Sequence, residues 1–235
     1  MRVAGVDGCK AGWMAVVMPP GRPDMASLHL LARLADLFCL PDPPGTVAVD
    51  MPIGLPERTG PGGRRAEQEV RAFIGARRAS AFAIPSRAAV FAADYASARI
   101  TALATSDPPR SIAKQAFNIF PKIREVDALL RADAGIAAKV FECHPEASFC
   151  AMAGAPLAFA KKLADGAAER MALLQHAGFA AALLQARPMS GAARDDLLDA
   201  CAAAWTAQRI ACGESKVFPG TTERDMFGLA MAIRA

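Results

Sequence analysis

The sequence contains no apolar run approaching the roughly 18 residues that a membrane-crossing helix needs. Its amino terminus opens on a charged, strand-like segment, Met1-Arg2-Val3, where a signal peptide would have a different layout. Both absences predict a soluble, cytoplasmic protein with no membrane partner. The six cysteines, Cys9, Cys39, Cys143, Cys150, Cys201 and Cys212, form no CxxC pair. Most are embedded in apolar segments, which suits buried reduced thiols better than zinc ligands or disulfides. Cys143, His144 and Cys150 lie close in the chain but lack an evident fourth zinc ligand. There is no internal repeat and no low-complexity linker. The stretch Gly60-Pro61-Gly62-Gly63 has no Lys-Ser/Thr ending, so it is not a P-loop.

The 235 residues, 53% of them hydrophobic, suffice for a substantial core in one domain with a large insertion. The formal net charge of +4 is unevenly spread. Residues 57–139 carry 14 Lys and Arg against 8 Asp and Glu, a net +6; the rest has 13 against 15, a net −2. A basic face of this kind can bind a polyanion, although scattered, solvated Arg is its ordinary outcome.

The acids stand in a distinctive pattern. Asp7 closes the short apolar run Met1–Asp7, and Asp50 closes Thr46-Val47-Ala48-Val49-Asp50. Each is followed by turn residues, Gly8 in one case and Pro52 and Gly54 in the other, so both acids are placed at the C-terminal ends of strands. That is where open α/β sheets bind ligands. If the strands are parallel neighbours, about 4.8 Å apart, both carboxylates can reach one ion. Asp195, Asp196 and Asp199 open the helical stretch through Arg209, and the i, i+3 and i, i+4 spacings put Asp199 on a face with each of the other two. Acids in a first turn are favoured by the helix dipole, which accounts for Asp195 and Asp196 better than for Asp199. Converging carboxylates repel, and need protons or a hard cation between them.

The expected element order is a hairpin of strands 1–7 and 13–18, a strand over 27–31, a short helix over 32–40 and a strand ending at Asp50. A helical excursion over about 51–138 follows, with helices near 64–79 and 111–133, the second broken near Pro121. The strand 139–143 is ended by His144-Pro145-Glu146. Helices over about 165–177 and from Asp195 come next, and 225–233 forms a last strand or a disordered tail.

Six segments together resemble the DUF429 family, often described as predicted RNase H-like nucleases: Gly5–Trp13, Asp50–Leu55, Arg77–Phe82, Ile123–Asp127, Glu142–Glu146 and Asp196–Ala207. The resemblance spans most of the chain. It implies an α/β, RNase H-like mixed sheet flanked by helices, with the helical insertion after the fourth strand. In that fold a first-strand Asp, a fourth-strand acid and one or two last-helix acids bind paired divalent ions. Asp7, Asp50, Asp196 and Asp199 fall on those positions, and the spacing of the last two is similar to that of the junction-resolvase branch. The implied cofactor is Mg²⁺ or Mn²⁺, with Asp7 bridging two ions in a phosphodiesterase.

Glu142, His144 and Glu146 are candidates for a further ligand or a general base, with a structural histidine as the alternative for His144. Lys10, Arg77, Arg78, Arg87 and Lys122 are candidate phosphate contacts. Trp13 and Trp205 read as core or wall residues. The expected substrate is nucleic acid or a nucleotide-like phosphate. The alternatives are a nucleotide-binding phosphotransferase, since that fold class includes sugar kinases with a first-strand Asp-Gly turn, and a non-catalytic binding protein on the same scaffold.

Overall fold

In the first two strands nearly every residue is buried, and alternate residues serve opposite faces. The computed structural model describes residues 1–187 and 189–235. Strands β1 (Arg2–Cys9) and β2 (Gly12–Met18) form a hairpin, and β3 (Ser27–Leu31) pairs antiparallel with β2. Trp13, Ala15 and Val17 of β2 point into one core, and Met14, Val16 and Met18 into the other. Such a sheet must be covered on both sides.

A short 3₁₀ segment, Leu34–Cys39, leads to β4 (Pro44–Val49), which runs parallel to β1. The insertion then contributes α1 (Arg65–Ile74), α2 (Arg87–Val90), α3 (Tyr95–Ala104), α4 (Lys114–Asn118), α5 (Phe120–Ala132) and α6 (Ala134–Ala137). Next come β5 (Val140–Cys143), α7 (Pro145–Ala153), α8 (Ala164–His176), α9 (Ala181–Leu184), α10 (Arg194–Ala211), β6 (Val217–Arg224) and β7 (Ala230–Arg234). The seven strands form one mixed sheet in the order β3-β2-β1-β4-β5-β7-β6. β4, β5 and β7 continue the parallel arrangement from β1, and β6 pairs antiparallel with β7. The protein is thus α/β, with a mixed sheet between helices.

Phe120, Ile123, Val126 and Leu130 of α5 cover one face together with Leu34 and Leu37. The other face is covered by α10, α8 and α7 through Leu197, Ala203, Leu174 and Phe149. Helix α10 lies very close to β1, because a Cβ on Gly5 would sit 1.9 Å from the Ala204 backbone nitrogen. The run Ala200-Cys201-Ala202-Ala203-Ala204 presents side chains small enough for this approach, and all five are fully buried. Among the described residues no helix is long and apolar enough to cross a membrane.

Several expectations change. The helix expected over 64–79 is α1 followed by a 3₁₀ turn, Gly75–Ser80. The break expected near Pro121 falls at Ile119, with Pro121 in the first turn of α5, where a missing N–H costs nothing. Helices α2 and α3 occupy a stretch with no assigned element. Pro145 likewise starts a helix, α7, where a tight turn was expected. Of the two readings of the C-terminal segment the strand holds, as β7, and the unexpected β6 pairs with it in a hairpin that extends the sheet past β5.

Candidate metal centre

Asp7 sits where β1 changes partners. The parallel ladder with β4 ends at Val6↔Val49, while β1 continues to Cys9 against β2 alone. Asp7 therefore lies within the strand, two residues before its end, but at the end of its pairing with β4. The Asp50 amide extends the ladder by one bond, to the Val6 carbonyl at 2.8 Å. The two acids thus leave adjacent parallel strands at the same level. Helix α10, resting on Gly5, brings Asp199 over them. One carboxylate oxygen from each of Asp7, Asp50 and Asp199 lies within 4.8 Å of the others.

This proximity disturbs all three acids. Burial and the charges of Asp50, Asp199 and Asp196 push the Asp7 carboxyl well above its ordinary value, with Lys161 opposing. Burial raises Asp50 to about 7 against the pull of Lys161. Asp199 is raised to about 6, by burial first and by Asp50, with Lys161 again opposing. The Gly8 amide donates to Asp7 Oδ1 at 2.7 Å. It occupies one oxygen and leaves the other uncommitted.

Three carboxylate oxygens at this separation could hold a metal ion. A second observation agrees: His144 lines the same cleft as Asp7 and Asp50, and its Nδ1 is buried without a hydrogen-bond partner. Its Nε2 makes only a long 3.4 Å contact to the Ser80 carbonyl, and burial lowers its proton affinity, which keeps the ring neutral and available as a ligand or base. The cleft encloses about 240 Å³, and its walls include Met51, Phe82, Asn118 and Lys122.

The other candidates fare differently. Asp196 does not join the converging three; its Oδ2 accepts the Ala193 amide at 2.7 Å and so caps α10. Glu142 borders the cleft, and its carboxylate is held by Arg64, at 2.6 and 3.0 Å, and by the Ile53 amide at 2.8 Å. Glu146 is likewise held by Arg170 at 2.6 and 2.8 Å. The Arg87 guanidinium is shared by Asp127 and Asp225, at 2.7 and 2.6 Å. Arg77 donates to the carbonyls of Leu157 and Ala158, while Arg78 and Lys10 are exposed. Lys122 lies over Gly8, donates to the Gly12 carbonyl and stands 4.4 Å from the Trp13 ring centroid, yet it still lines the cleft. Trp13 is fully buried and donates to Glu125 at 2.9 Å, as a core residue should. Cys9, Cys143, Cys150 and Cys201 are buried free thiols and Cys39 and Cys212 exposed ones; no cysteine joins a metal-binding group among the described residues.

Two parts of the site were not read from the sequence. Lys161, between α7 and α8, forms an ion pair with Asp199 and lies 3.6 Å from Asp195. Arg64, nearly unexposed, joins Glu67 at 2.5 Å and Glu142 at 2.6 Å, and also donates to the carbonyls of Ile53 and Gly54. It thereby fastens the loop after Asp50 to β5 and α1. The Asp-Asp-x-x-Asp run signals acids but not their counter-ion, and no local pattern marks either cation.

A family model described as "Protein of unknown function (DUF429)" matches residues 5–224. No curated protein and no solved structure matches the chain.

Proposed function

Since the chain belongs to the DUF429 family, whose description assigns no activity, we propose from its geometry that it is a divalent-metal-dependent phosphodiesterase of RNase H-like type, acting on nucleic acid or a nucleotide-containing substrate. The observation that carries this reading is the convergence of Asp7, Asp50 and Asp199 from two parallel strand ends and one helix. A cation bound there supplies Lewis acidity and a water that ionises near neutral pH. The carboxylates retain and orient it. His144, whose ring lines the same cleft, is the candidate general base. Lys122 offers a cationic wall for a phosphate oxygen.

The test is hydrolysis of single-stranded, duplex, hybrid and branched substrates with Mn²⁺, for wild type, Asp50→Asn and Asp199→Asn. Loss of cleavage by at least about 100-fold with unchanged circular dichroism supports the assignment. Intact substrates throughout, together with ready nucleotide binding, would replace it by the phosphotransfer or binding reading.

A further inference from the structure

The candidate centre has three converging carboxylates and one ammonium already bonded to one of them. Asp199 is the shared member: it faces Asp7 and Asp50 on one side, and on the other it lines a separate depression with Lys161, Asp195 and Arg194. The two further acids expected to serve a second ion are engaged elsewhere, Asp196 by the Ala193 amide and Glu142 by Arg64. Three carboxylates carry three negative charges. One divalent ion and one lysine neutralise them; with Asp195, 3.6 Å from Lys161, counted as a fourth acid, two divalent ions beside that lysine still leave a net positive charge.

We propose that this centre takes a single divalent cation and that Lys161 stands in for the second, completing the charge around Asp199 and Asp195. The inference rests on the metal-dependent reading above and specifies its stoichiometry. Lys161 is a positioning residue in this scheme: it holds Asp199 against the ion and excludes another cation from the Asp195–Asp199 side. His144, whose Nδ1 is buried without a hydrogen-bond partner, lines the same cleft as Asp7 and Asp50.

The experiment is an Mn²⁺ titration of the intact chain, with free ion read by electron paramagnetic resonance at millimolar Mn²⁺, for wild type, Lys161→Met and Lys161→Arg. Wild type and Lys161→Arg are expected to saturate at one ion per chain, and Lys161→Met at two, the second held between Asp195 and Asp199. The Lys161 side chain is 37% exposed, so its replacement leaves the core intact; should Lys161→Met fail to fold, Lys161→Gln takes its place as the neutral variant. Two ions on wild type, or a single ion on the neutral variant, overturns the proposal while the metal reading stands. No ion on any of the proteins overturns both.

Discussion

Replacing Asp50 with Asn should stabilise the metal-free protein at pH 8 and remove most of its response to Mn²⁺. In the unfolded chain Asp50 titrates at its ordinary value of 3.8, whereas in the fold it does so at about 7. Between these values the folded state holds more protons than the unfolded state. The free energy of unfolding therefore falls as pH rises through this window, and the loss is complete above the folded value. At about 1.36 kcal/mol per tenfold change in proton affinity, the shift corresponds to about 4 kcal/mol. Asp50 partly faces the open cleft, and solvent there reduces the effect to about 2–4 kcal/mol. For a chain of this length that is on the order of 5–10 °C in Tm. Thermal unfolding in chelator from pH 5 to 8 should show wild type losing stability and Asp50→Asn losing much less. Titration of Glu142 or His144 is common to both proteins and cancels in the comparison. Millimolar Mn²⁺ should restore wild type at pH 8 by mass action and leave the variant nearly unmoved. Parallel curves for the two proteins in chelator, or an Asp50→Asn protein less stable than wild type at pH 8, would refute the account of a carboxyl strained by burial.

Asp196→Ala should cost about 1 kcal/mol, the worth of a helix N-terminal contact, while Mn²⁺ affinity stays within about threefold of wild type; a total loss of binding would return Asp196 to the ligand set. Arg64→Met strips the buried partner from Glu67 and Glu142 and should destabilise by about 3–5 kcal/mol in urea unfolding, with Glu142→Gln recovering part of the loss in the double variant. Gly5→Ala forces α10 off β1 and should lower stability by more than about 3 kcal/mol and weaken Mn²⁺ binding at least tenfold; a well-folded Gly5→Ala with normal binding would contradict the close seating of the helix.

What could be read from the chain was local. Asp7 and Asp50 end short β-rich runs, and the flanking Gly and Pro residues made their parallel placement legible. The Ala-rich stretch after Asp195 could only be helical. Asp196 shows where such reading stops: an acid in a first turn looks the same whether it caps the helix or binds an ion, and only the position of the Ala193 amide decides. Arg64 and Glu142 are 78 residues apart, and nothing in either segment announces the other. Lys161 lies in a connection without periodicity, so its meeting with Asp199 arises only from the packing of α10. Pro145 was taken to end a strand although it is equally suited to start a helix, and Pro219 inside β6 made that strand hard to see.

The seating of α10 on Gly5 also determines how the site can respond to its own strain. Most clusters of like charge ease themselves by drifting apart. Here the helix meets the strand backbone to backbone, so Asp199 has no slack with which to retreat from Asp7 and Asp50. The remaining release is chemical: a proton, an ammonium or a metal ion must enter. A contact made where there is no side chain thereby turns rigidity into an appetite for positive charge.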